Sequence, residues 1–398
     1  MTPDSTQATT VLGLPARTGA LEGAHEGRII YIAVPWTPLG GGMFKVADYL
    51  IQSQSALPHG QVLQPLDTRG GGSAVASLWQ VGRAVAQLVR ARRQGRIAGV
   101  HVNMAERLDF VRESIVLAAC RVLGIPTVLH LHAAQLHHSY RRFPRPLQAV
   151  VRSIFALPRC VVALGQASAG FVTRELRVPT ERVEVVINGV PEPALPRRER
   201  VPGEARRVLF VGNLSERKGV SDLLEALAQP ALAHVPLQLT LVGGGDIRSY
   251  AMQAERLGVD GKVRFHGWAT QEQLAQLLAE SDALVLPSYD EGLPLAILEA
   301  LAHGVPVVCT PVGEIPHMLA HRHSACFVEP GEPSSIARGL AQVLTDPQLR
   351  ERLERNGRAL YEAQFSLPRF AASIARIHQR HFGLSAPLPA TAQQEVLT

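Results

Sequence analysis

From residue 28 onward, short apolar runs alternate with longer amphipathic stretches. Residues 28–35 (RIIYIAVP), 61–66, 99–103, 126–132 (PTVLHLH), 160–164 and 183–187 are too short for helices and predict buried strands. Between them, residues 44–55, 75–93, 108–122 and 167–176 predict helices, with a turn at residues 39–43 (LGGGM) and another at Asn188-Gly189. Residues 190–203 (VPEPALPRRERVPG) then break the pattern, being rich in proline and charge with no apolar period; they predict an exposed linker. Beyond it the alternation restarts. Strands are predicted at 208–212, 237–242, 263–266, 283–287 and 305–309, and helices at 219–228, 248–257, 271–280, 294–303, 336–344, 348–365 and 367–382.

Strands that alternate with helices build parallel sheets covered on both faces. Two such series around a linker predict an α/β protein of two doubly wound, Rossmann-like domains facing across a cleft. The expected division is a flexible arm at 1–27, an N-terminal domain at 28–195, a C-terminal domain at 204–365, a helix at 366–384 packing back on the N-terminal domain, and a flexible tail at 385–398. A length of 398 residues suits two domains. No run reaches the ~18–20 apolar residues of a membrane span, and residues 1–27 lack the charged start and apolar core of a secretory signal. The four cysteines (Cys120, Cys160, Cys309, Cys326) are scattered and predict small core residues in a reducing, cytoplasmic setting rather than a zinc site or a disulfide framework.

Net charge changes the picture. The chain carries +6, divided as +10 over residues 1–200 and −4 over residues 201–398. A basic half implies an anionic partner there: nucleic acid, anionic lipid or a phosphorylated acceptor. Residues 136–152 (LHHSYRRFPRPLQAVVR) mix arginines with aromatic and apolar positions, which suits either an anionic membrane surface or a plain solvated face. No nucleic-acid module pattern accompanies the charge, so no nucleic-acid partner is expected.

Ligands of doubly wound sheets bind outside the carboxyl ends of the strands, and the candidate chemistry lies there. Gly40-Gly41-Gly42 follows the first strand and lets backbone amides approach a diphosphate, although the spacing lacks the nicotinamide fingerprint G-x-G-x-x-G and also fits a plain turn. Residues 212–219 (GNLSERKG) follow the first strand of the second series. There Arg217 and Lys218 can neutralise phosphate oxygens, one as a fork and the other as a point charge. Residues 290–299 (DEGLPLAILE) put Pro294 at an expected first helical position, leaving the Gly292 and Leu293 amides free at a positive helix end. Glu291 and Glu299 flank those amides and could hold sugar and ribose hydroxyls. Glu299 stands in an apolar helix, where an unpartnered carboxylate is costly. His130 and His132 share one face of a strand, and a cleft-wall histidine donating a hydrogen bond to a sugar fits better than a metal ligand, because no carboxylate or cysteine stands at ligand spacing. No Asp-x-Asp occurs, so amides and cations are expected to neutralise the diphosphate without a divalent ion.

These motifs, in this order, resemble the group 1 (family four) retaining glycosyltransferases of the GT-B fold, bacterial exopolysaccharide type, over about residues 28–382. GNLSERKG, LVGGGD, FHGW, DEGLPLAILEALAHGVPVV and TPVGEIPHML carry the resemblance in the second half, GGGMF and VLHLHAAQ in the first. It implies that Gly41 and Gly42 approach the donor diphosphate, and that His132, with His130 as fallback, is the active-site histidine. It further implies that Lys218, helped by Arg217, binds the diphosphate, that Glu291 with the Gly292 and Leu293 amides holds the sugar, and that Glu299 holds the ribose. Asn213 stands where many members carry arginine. The implied activity is retaining transfer of a hexosyl group from a nucleotide-diphosphate sugar, with mannose or glucose favoured. The donor is a GDP- or UDP-sugar acting as co-substrate, without a cofactor or metal. The implied acceptor is a lipid-linked saccharide at the inner membrane face, in exopolysaccharide or cell-surface glycan synthesis. A nucleotide-sugar epimerase of the same architecture and a non-catalytic nucleotide-sugar binding protein remain open alternatives.

Overall fold

The computed structural model describes residues 28–36, 41–55, 62–71, 74–106, 108–201 and 203–384. The predicted arm at 1–27 and tail at 385–398, together with Gly40 and Gln61, lie outside the described residues.

The first six strands are β1 (Ile29–Val34), β2 (Val62–Asp67), β3 (Ile97–Met104), β4 (Thr127–Leu131), β5 (Cys160–Ala163) and β6 (Val183–Val185). They form one parallel sheet in the order β2-β1-β3-β4-β5-β6. Helices α1 (Gly42–Ser55), α2 (Ala74–Arg93), α3 (Leu108–Val122), α4 (Leu136–Arg142), α5 (Arg145–Phe155) and α6 (Gln166–Arg174) connect them. The second sheet comprises β7 (Arg206–Val211), β8 (Leu237–Val242), β9 (Val263–Gly267), β10 (Ala283–Leu286), β11 (Val307–Cys309) and β12 (Cys326–Phe327), in the order β12-β11-β10-β7-β8-β9. Its helices are α7 (Val220–Leu227), α8 (Ile247–Arg256), α9 (Gln271–Glu280), α10 (Leu295–Ala302), α11 (Ile315–Met318), α12 (Pro333–Thr345) and α13 (Pro347–Leu360), and α14 (Leu367–Phe382) closes the chain. Both sheets are doubly wound, and strand order reverses between β1 and β3 in one and between β7 and β10 in the other. Loops leaving such neighbouring strands in opposite directions open a crevice.

Strands β1, β3 and β4 are buried along their whole length, as an apolar run covered on both faces must be. Helix α14 returns to the first domain and packs on α1, β3 and β4. Gly99, inside the otherwise bulky β3, has a local reason: a Cβ there would lie 2.4 Å from the Phe382 ring. The returning chain crosses beside the outgoing one, with Val190 N donating to Phe365 O at 2.9 Å and Leu367 N to Val190 O at 2.9 Å.

Several expectations are corrected. The segment at 190–203 is more than a solvated linker: Arg197 donates to Gly304 O at 2.8 Å and Ser281 O at 2.9 Å, and Arg200 donates to Asp282 at 2.8 Å. Proline and charge mark exposed backbone, but they do not say where long side chains anchor. Pro294 is the cap rather than the first helical residue, with ψ 123°, so α10 begins at Leu295. The segment at 136–152 is two helices, and its Tyr140 is buried against Phe171 rather than facing outward.

Candidate functional site at the cleft

The C-terminal wall is assembled at the β7/β10 reversal. β7 leads through a loop into a 3-10 turn at Glu216–Lys218, and Gly219 follows at φ 67°. A Cβ on Gly219 would stand 2.1 Å from Pro287 O, so only glycine lets this turn lie against the end of β10. Lys218 thereby reaches Glu291, 73 residues further on, and forms an ion pair and hydrogen bond with its Oε1. The buried Ser288 hydroxyl donates to the same oxygen at 2.7 Å. Arg217 lies at the rim, donating to Asp290 O at 2.6 Å, with its guanidinium 3.9 Å from Glu291 Oε2. Gly292 and Leu293 lie between this pair and α10, and because the helix begins at Leu295 their amides precede its cap rather than belong to its first turn.

Glu299 is buried in α10 and finds its partners on the opposite domain. Its Oε1 accepts from Lys45 Nζ at 2.8 Å and from the Tyr49 hydroxyl at 3.2 Å, both on α1. Burial, and then the Glu299 charge, push the Tyr49 hydroxyl far above its ordinary pKa. Gly42 opens α1 directly across from α10, where a Cβ would sit 3.5 Å from Leu295; among the described residues nothing lies within 4 Å of a Cβ on Gly41.

The N-terminal wall is built from the ends of β3 and β4. His132 is half-buried just past β4, and its Nε2 lies 3.0 Å from Asn103 Oδ1. Asn103 Nδ2 donates to Ala33 O at 3.2 Å, so its amide is oriented with the oxygen toward the ring. Loss of solvent, with His101 second, lowers His132 to about 3. A neutral ring that donates from Nε2 has only an acceptor left at Nδ1. That reverses the donor role expected from the strand pattern: His132 can accept a hydrogen bond from a hydroxyl. His130 is 1% exposed and cannot line the cleft. It belongs to an interior row in which His101 bonds His378 at 2.8 Å and lies 3.4 Å from His130.

The two walls meet at Gly292, where a Cβ would come 3.7 Å from Ala134, two residues past His132. The cleft thus joins a lysine-carboxylate pair, a helix amino end, two glycines and an oriented imidazole. Lys45, Tyr49, Asn103 and Ser288 were not foreseen. Asn103 had a signal, since His101 and Asn103 are polar positions spaced by two in an apolar strand. Ser288 shares the Glu291 loop but no pattern marks it, and Lys45 and Tyr49 are ordinary residues until the domains meet. Among the described residues, one group could hold a metal: Cys160, Glu184 and His381. Cys160 starts β5, at the end of the strand opposite the cleft.

Two facing doubly wound domains with ligand groups at both switch points define a GT-B architecture. The model for glycosyl transferases group 1 matches residues 192–360, and that for glycosyltransferase family 4 matches residues 65–192. The chain belongs to the group 1 glycosyltransferases. An uncharacterized glycosyltransferase of Methanocaldococcus jannaschii is 29% identical over 55% of this chain and 59% of its own length. N-acetyl-alpha-D-glucosaminyl L-malate synthase of Bacillus anthracis is 30% identical over 52% of this chain and 56% of its own. The matches thus span little more than half the length of these curated relatives. Among solved structures, Anabaena HepE in complex with UDP and glucose superposes with a TM-score of 0.69 at 19% identity, covering 88% of this chain and 99% of that one.

Proposed function

We propose that this chain transfers a hexosyl group, mannose or glucose, from a nucleoside-diphosphate sugar to a saccharide acceptor, with retention at the anomeric carbon. The observation that carries the reading is the Lys218–Glu291 pair beside the amino end of α10, facing His132 across the cleft. As the anomeric C–O bond breaks, negative charge grows on the departing diphosphate. Lys218, Arg217 and the helix amides neutralise it, the electrostatic effect that dominates such catalysis. The freed phosphate oxygen takes the acceptor hydroxyl's proton as that oxygen bonds the same face of the sugar, so no protein nucleophile is needed. Glu291 and the Nδ1 of His132 accept hydrogen bonds from sugar hydroxyls, and Glu299 takes the ribose. Neutralisation by fixed cations and amides makes the reaction metal-independent, so turnover survives EDTA.

The acceptor is a lipid-linked saccharide, and the first domain offers a face for its membrane. Leu78 and Trp79 on α2, Val111 and Ile115 on α3, and Leu147 and Val150 on α5 are exposed on three helices that pack side by side. Arg83 lies 5.7 Å over the Trp79 ring. Apolar side chains flanked by arginines fit an anionic lipid surface. No helix among the described residues is long and apolar enough to cross a membrane. In exopolysaccharide or cell-surface glycan assembly this face would sit on the inner leaflet.

Incubation with a panel of GDP- and UDP-sugars and a lipid-linked acceptor, followed by product analysis, tests the reading. A new glycosidic bond made by the wild type and lost in Lys218→Ala supports it. Conversion of donor alone to an isomer shows an epimerase, and donor binding without turnover shows a binding protein; either result overturns it. Failure to bind anionic liposomes at low salt overturns the membrane-bound acceptor.

A further inference from the structure

Helix α6 of the first domain lacks a cap of its own. Its N-cap residue is Gly165, which has no side chain to offer the free amides of the first turn. The missing cap comes from the other domain. Glu314, 3% exposed in the loop between β11 and α11, reaches across the cleft. Its Oε1 accepts from Ser168 N at 2.7 Å and its Oε2 from Ala167 N at 3.2 Å. A carboxylate on the second and third amides of a helix completes the hydrogen bonds and meets the positive end of the dipole.

The approach is close on both sides. A Cβ on Gly165 would lie 2.3 Å from Glu314 Oε2. The backbone there is extended, at φ −178°, so alanine could adopt it and only the carboxylate would be displaced. On its own domain, Glu314 is bonded to the loop that carries Glu291: its N–H donates to Gly292 O at 3.2 Å. The preceding Gly313, at φ 61°, packs so tightly on this loop that a Cβ would stand 1.9 Å from Glu291 O. One residue therefore joins the sugar-binding loop of one domain to a helix of the other.

We propose that Glu314 is a positioning residue that clasps the two domains, so that capping of α6 and placement of the Glu291–Gly292 loop against the His132 loop are a single event. The carboxylate touches no reacting atom; it acts through the loop it holds. This inference rests on the glycosyl-transfer reading for its kinetic part, but not for its conformational part.

The experiment uses the full chain with three variants, Glu314→Ala, Gly165→Ala and the double variant. X-ray scattering with and without UDP reads domain closure, and steady-state kinetics read transfer and donor hydrolysis. Each single variant should raise the radius of gyration with UDP bound and lower kcat about 10- to 100-fold, the cost of small misplacement of reacting groups. Donor KM should move less than about threefold, because the nucleotide contacts are untouched. Hydrolysis should rise relative to transfer, since an open cleft admits water. The double variant should be no worse than either single one, because both remove the same contact. Glu314→Gln, which keeps an acceptor oxygen but no charge, should fall between wild type and Glu314→Ala. Gly165→Ala displaces the carboxylate but removes no polar group from the chain, so it guards against loss of fold in Glu314→Ala. Unchanged scattering and kcat in Gly165→Ala, or additive losses in the double variant, overturn the clasp. Should wild type transfer no sugar while both variants still expand with UDP bound, the clasp stands and the assigned reaction fails.

Discussion

The two domains share a folding principle but store their chemistry differently. In the C-terminal domain the site groups come in contiguous stretches, the turn after β7 and the loop after β10, and they pair with one another. Lys218, Glu291 and Ser288 form a network before any other group arrives. In the N-terminal domain single residues at the ends of β3 and β4 are held by the neighbouring strand, as Asn103 holds His132, and several titratable groups are buried beneath them. The difference teaches where function and stability are separable. Changes in the C-terminal wall should move chemistry alone, whereas changes behind the N-terminal wall should move stability and its pH dependence.

The sharpest test is the lysine-carboxylate pair. Lys218→Ala and Glu291→Ala should each reduce kcat by about 100- to 1,000-fold, the loss typical of removing one charge-stabilising group. Circular dichroism and melting temperature should stay near wild type. Full turnover by either folded variant would break the assignment of chemistry to this wall.

That pair was also the most legible part of the molecule. Its residues sit in runs whose spacing relative to a strand end is visible in one dimension. The alternation of apolar runs and amphipathic stretches likewise carried the two-sheet fold, apart from the two-residue β12. Residues whose role depends on the approach of the second domain were hidden. Lys45 and Tyr49 lie on an ordinary amphipathic helix, and nothing local marks them as partners of Glu299, about 250 residues away. Arg197 and Arg200 looked like linker charge for the same reason. Sequence periodicity reports burial against the element's own domain, not the chemistry of a distant surface.

A smaller effect separates the walls at Glu299. Glu299→Ala should raise donor KM roughly tenfold by removing a charged acceptor, with kcat little changed. Lys45→Met removes a partner of the same carboxylate from the other domain and should raise KM by less than about threefold. Equal effects in the two would show that the cross-cleft pair, not the acceptor, sets donor affinity.

The interior histidines give the N-terminal domain an acid sensitivity. Burial lowers His101 to about 3, and His130 and His378 are well below 6.5 for the same reason. Unfolded, each takes up a proton near 6.5, so the chain's stability is whole above that pH and is lost as pH falls toward 3. Urea unfolding of His101→Gln at pH 7, 6 and 5 should show a slope shallower by up to about 1.4 kcal/mol per pH unit. A slope identical to wild type would mean that His101 is already charged in the fold.

Glu113 sharpens the same point with the opposite sign. It is wholly buried on α3; the Thr68 hydroxyl donates to its Oε1, and its Oε2 has no partner among the described residues. Burial raises it to about 8, against smaller lowering effects of Thr68 and Arg112. Between pH 4.5 and 8 the folded chain therefore holds a proton that the unfolded chain releases, so this group's contribution is whole below 4.5 and is lost as pH rises to 8. Glu113→Gln keeps the neutral shape and removes the ionisation. By linkage it should stabilise the protein by roughly 3 kcal/mol near neutral pH, with the gain growing from pH 4.5 to 8 and then levelling. Melting temperatures across that range measure it, and turnover should not change, because Glu113 touches neither wall of the cleft. A pH-independent difference would show that the carboxyl is ionised in the fold, and would remove the buried carboxyl from the contrast between a wall that pairs its charges and a domain that buries them.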